Sequence, residues 1–216
     1  MGHHRVKLLW RARRQGPVAL LSQAARIVRD KLGYHRYLVF WQNVHNGVEP
    51  PATPADVQVR DFAAWDDVPP QVRDALVREA HSFGWDTQAW LSRGWRLWVA
   101  LCNESLASAS WTMLGPQCPG YFVPLRGRDG VLWWTVTLPE FRGRGLAPLL
   151  YRHMLAYLCH IGAQQAYVCC GDWNLSSRAC IEKAGFTLKG VAAQNRRSRR
   201  VTWRPLDTGL SGGESP

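Results

Sequence analysis

Residues 135–158 read TVTLPEFRGRGLAPLLYRHMLAYL, and the order of chemistries along them decides the fold. An apolar, β-branched run from Val131 to Leu138 stops at Pro139, which cannot donate a ladder hydrogen bond. A compact basic turn follows, Arg142-Gly143-Arg144-Gly145-Leu146-Ala147. Leu146, Leu149, Leu150, Met154, Leu155 and Leu158 then recur at helical spacing. Strand, glycine-basic turn and helix together aim backbone N–H groups at phosphate. The first helical turn has unpaired donors and the positive end of the dipole, and glycine lets an anion approach. The stretch therefore predicts a pyrophosphate site.

A second piece lies about thirty residues downstream, where Asn174-x-x-Ser177 leads into Glu182-Lys183-Ala184-Gly185-Phe186. Together with Arg142-x-x-Gly145-x-Ala147, it closely resembles the GNAT superfamily of acetyl-coenzyme A-dependent N-acetyltransferases, over about residues 56–204. The resemblance implies an α/β (α+β) fold with a mixed central sheet flanked by helices, and acetyl-CoA as co-substrate. It implies that backbone N–H groups from Arg142, Gly143, Arg144, Gly145, Leu146 and Ala147 cradle the pyrophosphate, with the two arginines adding charge. It also implies that Thr135-Val136-Thr137 splays from the strand ending at Cys170, so that backbone around Thr137 pairs with the pantetheine amides. Asn174 would contact the pantetheine or cap the fourth helix, with Ser177 one turn in. An ordinary helix start with solvated arginines is the competing reading of the turn.

The implied reaction is direct attack of an amine on the thioester carbonyl. It needs a base or water chain, a donor for the developing oxyanion and an acid for the departing thiolate. Many family members carry a Tyr four residues after the Ser177 position, where this chain has Ile181. Helical geometry points the neighbouring Cys180 elsewhere, and the facing of Tyr167 is open. No general acid is legible. His81 and Asp86 are the candidate bases, each with a surface or packing role as the alternative. Glu140 reads as a solvated surface residue, and Cys169-Cys170 as buried strand residues with no His/Asp frame around them. Trp85, Trp90, Trp95, Trp98, Trp111 and Trp133 are divided between core and acceptor cleft.

The 216 residues suit one domain with an appendage. Six cysteines show no CxxC pair and no zinc spacing, no secretory signal is legible, and no window approaches the ~18 apolar residues of a membrane span. Reduced thiols in a cytoplasmic protein are the expectation. The net charge of +11 is concentrated at the ends. Residues 1–36 hold nine Lys/Arg against Asp30, and Arg196, Arg197, Arg199, Arg200 and Arg204 cluster near the C-terminus. From Pro17 onward, Val18, Leu20, Leu21, Ala24, Ala25, Ile27, Val28 and Leu32 form an apolar face edged by Arg26, Arg29 and Lys31. Such a helix over 1–33 lies on an anionic membrane surface or docks on its own domain, and both readings stay open; nucleic acid ranks third.

The expected organisation is a basic helical extension and linker over 1–50, an acetyltransferase domain over 51–207 and a disordered tail over 208–216. Tyr37–Trp41 reads as a strand or edge extension, with the boundary in the Gly/Pro-rich 46–54. Helices are predicted over 69–80, 87–93 and 175–184. A hairpin is predicted over 96–101 and 106–113, and strands over 57–60, 165–170 and 200–204. A short strand at Tyr121-Phe122-Val123 is a further candidate. The function expected is transfer of an acetyl or longer acyl group to a small-molecule amine acceptor, such as an amino sugar or an envelope or polysaccharide precursor. The protein would be cytoplasmic, at most peripheral to the inner face of the membrane, and a homodimer is compatible with the sequence. The alternative is a catalytically weak GNAT-like binding module tethered through its basic termini.

Overall fold

A computed structural model describes residues 34–44, 49–79, 86–195, 198 and 200–206. The helices expected over 1–33, the tail over 208–216, and His81 and Trp85 lie outside these residues. Eight strands form one sheet: β1 (Tyr34–Asn43), β2 (Val57–Phe62), β3 (Arg96–Cys102), β4 (Ser105–Leu114), β5 (Gly130–Thr137), β6 (Gln165–Gly171), β7 (Thr187–Asn195) and β8 (Val201–Pro205). Their order across the sheet is β2-β3-β4-β5-β6-β1-β7-β8. Only β5 and β6 run parallel, and every other neighbouring pair is antiparallel. Four α-helices fill the connections: α1 (Pro70–Arg78), α2 (Thr87–Ser92), α3 (Leu146–His160) and α4 (Leu175–Lys183).

The sheet is covered on both faces, which is why its central strands read as unbroken apolar runs. On β3, Trp98, Ala100 and Cys102 pack on one side with Leu150, Met154 and Leu158 of α3. Leu97, Val99 and Leu101 pack on the other side with Val72 and Leu76 of α1 and Leu91 of α2. The β3–β4 hairpin turns through Asn103 and Glu104, both at positive φ (46° and 66°), the left-handed pair that a two-residue hairpin requires. Tyr121–Val123 form no strand. They pack as loop over Val39, Met113 and Tyr167.

The boundary expected at 46–54 does not separate two units. β1, which lies in the expected extension, sits between β6 and β7, pairing Tyr37 with Gly171 and Val39 with both Cys169 and Gly190. It is neither an edge nor an appendage. Val39 and Phe40 are fully buried on opposite faces, as a strand covered on both sides demands. Residues 44–56 therefore link two strands of one sheet.

Candidate active site

Strand β5 is paired on both sides for only part of its length. Gly130, Val131 and Leu132 pair in parallel with Ala166, Tyr167 and Val168, and there the β6 register stops. The β4 register continues to Thr137, but with a slip: Val136 faces Ala109 and Trp133 faces Trp111. Trp134 and Thr135 thus share the space opposite Ser110. This is a bulge, and Trp134 carries its strain at φ 52°. The bulge bends β5 away from β6 and opens a wedge between parallel strands. Two buried serines hold the bent segment. Ser108 Oγ donates to the Val136 carbonyl at 2.7 Å and lies 3.0 Å from Thr137 Oγ1. Ser110 Oγ lies 2.6 Å from Thr135 Oγ1.

A cleft of about 640 Å³ fills the wedge. Thr135, Val136 and Thr137 form one wall, and Asn174, Ser177 and Cys180 of α4 form another. At its mouth stand Arg142, Gly143, Gly145, Leu146 and Ala147. Gly145 is the N-cap of α3 at φ 76°, and Gly143 lies at φ 83°. A Cβ at either position would meet nothing within 4 Å, so conformation rather than crowding by the protein requires glycine there. The space above the turn is open, and the first N–H groups of α3 have no carbonyl one turn back to bond. An anion fits there.

The arginine side chains contribute less than the backbone. Arg142 folds back, donating from Nε to the Thr137 carbonyl at 3.2 Å. Arg144 pairs with Asp56 at the head of β2 and does not line the cleft. Asn174 caps α4, its Oδ1 accepting from the Ser177 N–H at 3.1 Å, while also lining the cleft. Both expected roles of Asn174 are thus compatible with one position.

On the catalytic side, Ile181 is fully buried in the core. That position faces packing, not the cleft. Cys180, expected to point elsewhere, lines the cleft instead, because α4 turns residue 180 toward β5 while 181 faces inward. Burial raises its thiol above the ordinary range, so it is not poised as a thiolate. Burial likewise holds Cys170 up at about 11, as expected of strand residues. Tyr167 faces the other side of the sheet, against Tyr121 and Met113. Asp86 is the N-cap of α2, accepting from the Ala89 N–H at 3.0 Å, and does not line the cleft. Glu140 is exposed in the short turn after Pro139. Of the tryptophans expected at an acceptor cleft, Trp90, Trp95 and Trp111 stack together at 5.0–6.4 Å in the core beneath α1 and α2. Trp98 packs on Tyr157 of α3.

A family model for the acetyltransferase (GNAT) family matches residues 63–186, more than half of the chain. The chain belongs to the GNAT acetyltransferase family. No curated protein matches the sequence. Among solved structures, it is similar to a GCN5-related N-acetyltransferase from Sphaerobacter thermophilus, with TM-score 0.53 and 14% identity over 78% of this chain and 54% of that one. It is also similar to one from Kribbella flavida (0.51, 13%, 86% and 65%) and to a GNAT-family acetyltransferase from Colwellia psychrerythraea (0.50, 17%, 80% and 57%). At these identities the likeness is one of fold. The chain spans between half and two-thirds of the length of these neighbours. The GNAT match begins at residue 63, so β1, which completes the sheet, lies ahead of it.

Three contributors to the GNAT cleft escaped the sequence reading. Ser108 and Ser110 are fully buried polar residues in an apolar strand, and their i, i+2 spacing is the available signal. Tyr151 lines the cleft from α3, four residues beyond Ala147 and so on the same helix face.

Proposed function

We infer that this GNAT chain transfers an acetyl or longer acyl group from acetyl-CoA to an amine by direct attack. The observation that carries this reading is the split of β5 from β6 after Leu132, placed directly above the open Gly143–Ala147 turn. Backbone N–H groups of the turn and of the first turn of α3 would hold the pyrophosphate, assisted by the helix dipole. The β5 edge from Trp133 to Thr137, past its β6 register, would receive the pantetheine amides as a strand receives its neighbour. Asn174 and Ser177 would border the arm from the opposite wall. Acetyl-CoA supplies an activated carbonyl and a thiolate leaving group.

On the acceptor side, the proposal is a small-molecule amine, with an amino sugar or an envelope precursor as the first choice. Among the described residues no helix is long and apolar enough to cross a membrane. A cytoplasmic enzyme, peripheral to the inner face of the membrane through residues 1–33, is the arrangement proposed, and it allows a homodimer. Binding to anionic vesicles that is insensitive to salt, or unchanged on removal of 1–33, sinks the membrane part.

A second reading, a catalytically weak GNAT module, is favoured by one observation: the position of the usual phenol is core-facing Ile181. Thermal shift followed by turnover separates the two. Acetyl-CoA at 100 times its dissociation constant stabilises the fold by about 2.7 kcal/mol. A shift with turnover against a panel of amino sugars, polyamines and amino acids supports the enzyme. A shift with no amine consumed supports the module, and no shift removes both.

A further inference from the structure

The cleft holds a phenol, but on a different helix from the one where it was sought. Tyr151 projects from the second turn of α3 into the throat of the wedge and is only 3% exposed. Its hydroxyl bonds to Thr135 on the bent segment of β5, and Cys169 and Cys170 of β6 and Cys180 of α4 are its titratable neighbours. Phe186, 6.1 Å from its ring, closes the inner side. Tyr151 thus stands where β5, β6 and α4 converge, at the point a chain threaded between the two strands must pass. Thr135 is held in turn by Ser110, itself fully buried, so the phenol is the cleft-facing end of a fixed chain of hydroxyls.

We propose that Tyr151 is the proton donor to the coenzyme's sulfur, taking the role that Ile181 cannot. This rests on the coenzyme reading of the same cleft. As the acceptor nitrogen bonds to the carbonyl carbon, the carbon–sulfur bond breaks and its electron pair leaves on sulfur. The Tyr151 hydroxyl proton passes to that sulfur, giving a thiol. The phenolate recovers a proton from water as the thiol departs, and the proton lost by the acceptor nitrogen goes to solvent, so charge and atoms balance. Two features suit the group to this task. Burial raises its pKa well above that of an exposed phenol, so it is protonated and available as a donor at neutral pH. Thr135 can accept from the phenol at rest and yield it to a sulfur that arrives beside it, because a hydroxyl has both donor and acceptor capacity.

The decisive measurement is binding, which does not depend on knowing the acceptor. Coenzyme A and desulfo-coenzyme A, which differ only at the sulfur, are titrated calorimetrically into the wild-type protein and Tyr151→Phe. Wild type should favour coenzyme A by about three- to tenfold, the worth of one hydrogen bond to sulfur. Tyr151→Phe should bind both ligands equally, with desulfo-coenzyme A affinity unchanged. With any amine that the panel shows to be consumed, kcat should fall about 100-fold at unchanged KM for acetyl-CoA. Equal preference in both proteins overturns the assignment while leaving the coenzyme reading intact. Failure of either ligand to bind wild type removes the coenzyme reading, and the assignment with it. Should Tyr151→Phe not fold, 3-fluorotyrosine at 151 serves instead. Its more acidic phenol should increase the preference for coenzyme A, and an unchanged preference again overturns the role.

Discussion

The two halves of β5 share a strand, a partner on one side and the same apolar composition, yet they end in opposite roles. Gly130–Leu132 is zipped to β4 and β6, with Val131 and Leu132 essentially inaccessible. Trp133–Thr137 keeps β4 and loses β6, and its residues are half-buried around a cleft. A single extra residue at Trp134 makes the difference. A sheet buried on both faces offers a ligand no backbone unless a strand is made to leave its neighbour, and a bulge achieves that without breaking the strand.

Breaking the zipped half should have the largest effect. Leu132 is 1% exposed among α3 and β6 side chains, so Leu132→Ala should lower unfolding free energy by about 2–5 kcal/mol, measured by urea denaturation. Gly130→Ala acts on the same half: its Cβ would lie 2.4 Å from a Leu158 methyl, at a cost of about 1–3 kcal/mol.

Breaking the open half should cost ligand more than fold. Gly145→Glu places a carboxylate in the open space above the α3 N-terminus and should weaken acetyl-CoA binding at least about 100-fold, abolishing the thermal shift. Its circular dichroism should stay native, since one non-glycine residue at this φ costs only about 1–2 kcal/mol. A Gly145→Glu variant that still shifts with acetyl-CoA would deny the turn its role.

Ser110→Ala tests what holds the halves apart. Losing its bond to Thr135 should cost about 1 kcal/mol of stability and reduce turnover more than it reduces coenzyme affinity. The smallest effect belongs to Asp56→Asn, which releases Arg144. With the pair exposed, acetyl-CoA affinity should rise by no more than about twofold, and only at low salt.

The turn, α3 and the β3–β4 hairpin were legible because each is encoded by neighbours: glycines at positive φ, a stop at Pro139, apolar spacing. Asn174 was legible as a cap for the same reason. The place of β1 was not. Tyr37–Trp41 reads as a strand from its own residues, but whether it is central depends on partners some 130 residues away. The bulge was hidden because a tryptophan at positive φ runs against its own propensity and is held by Ser108 and Ser110 on another strand. Tyr151 was hidden because α3 is apolar nearly all round, so spacing alone did not say which face meets the cleft. The orientation of Cys180 was misread from the same kind of ambiguity on short α4.

The central position of β1 also governs how the protein can be made. Its partners, β6 and β7, are the sixth and seventh strands synthesised. At roughly 5–20 residues per second, Tyr37–Trp41 waits on the ribosome's far side for many seconds before either partner exists. Until then an apolar strand stands without its ladder, a segment that chaperones or neighbouring nascent chains can seize. The sheet therefore closes last at its middle, around the first strand to be made.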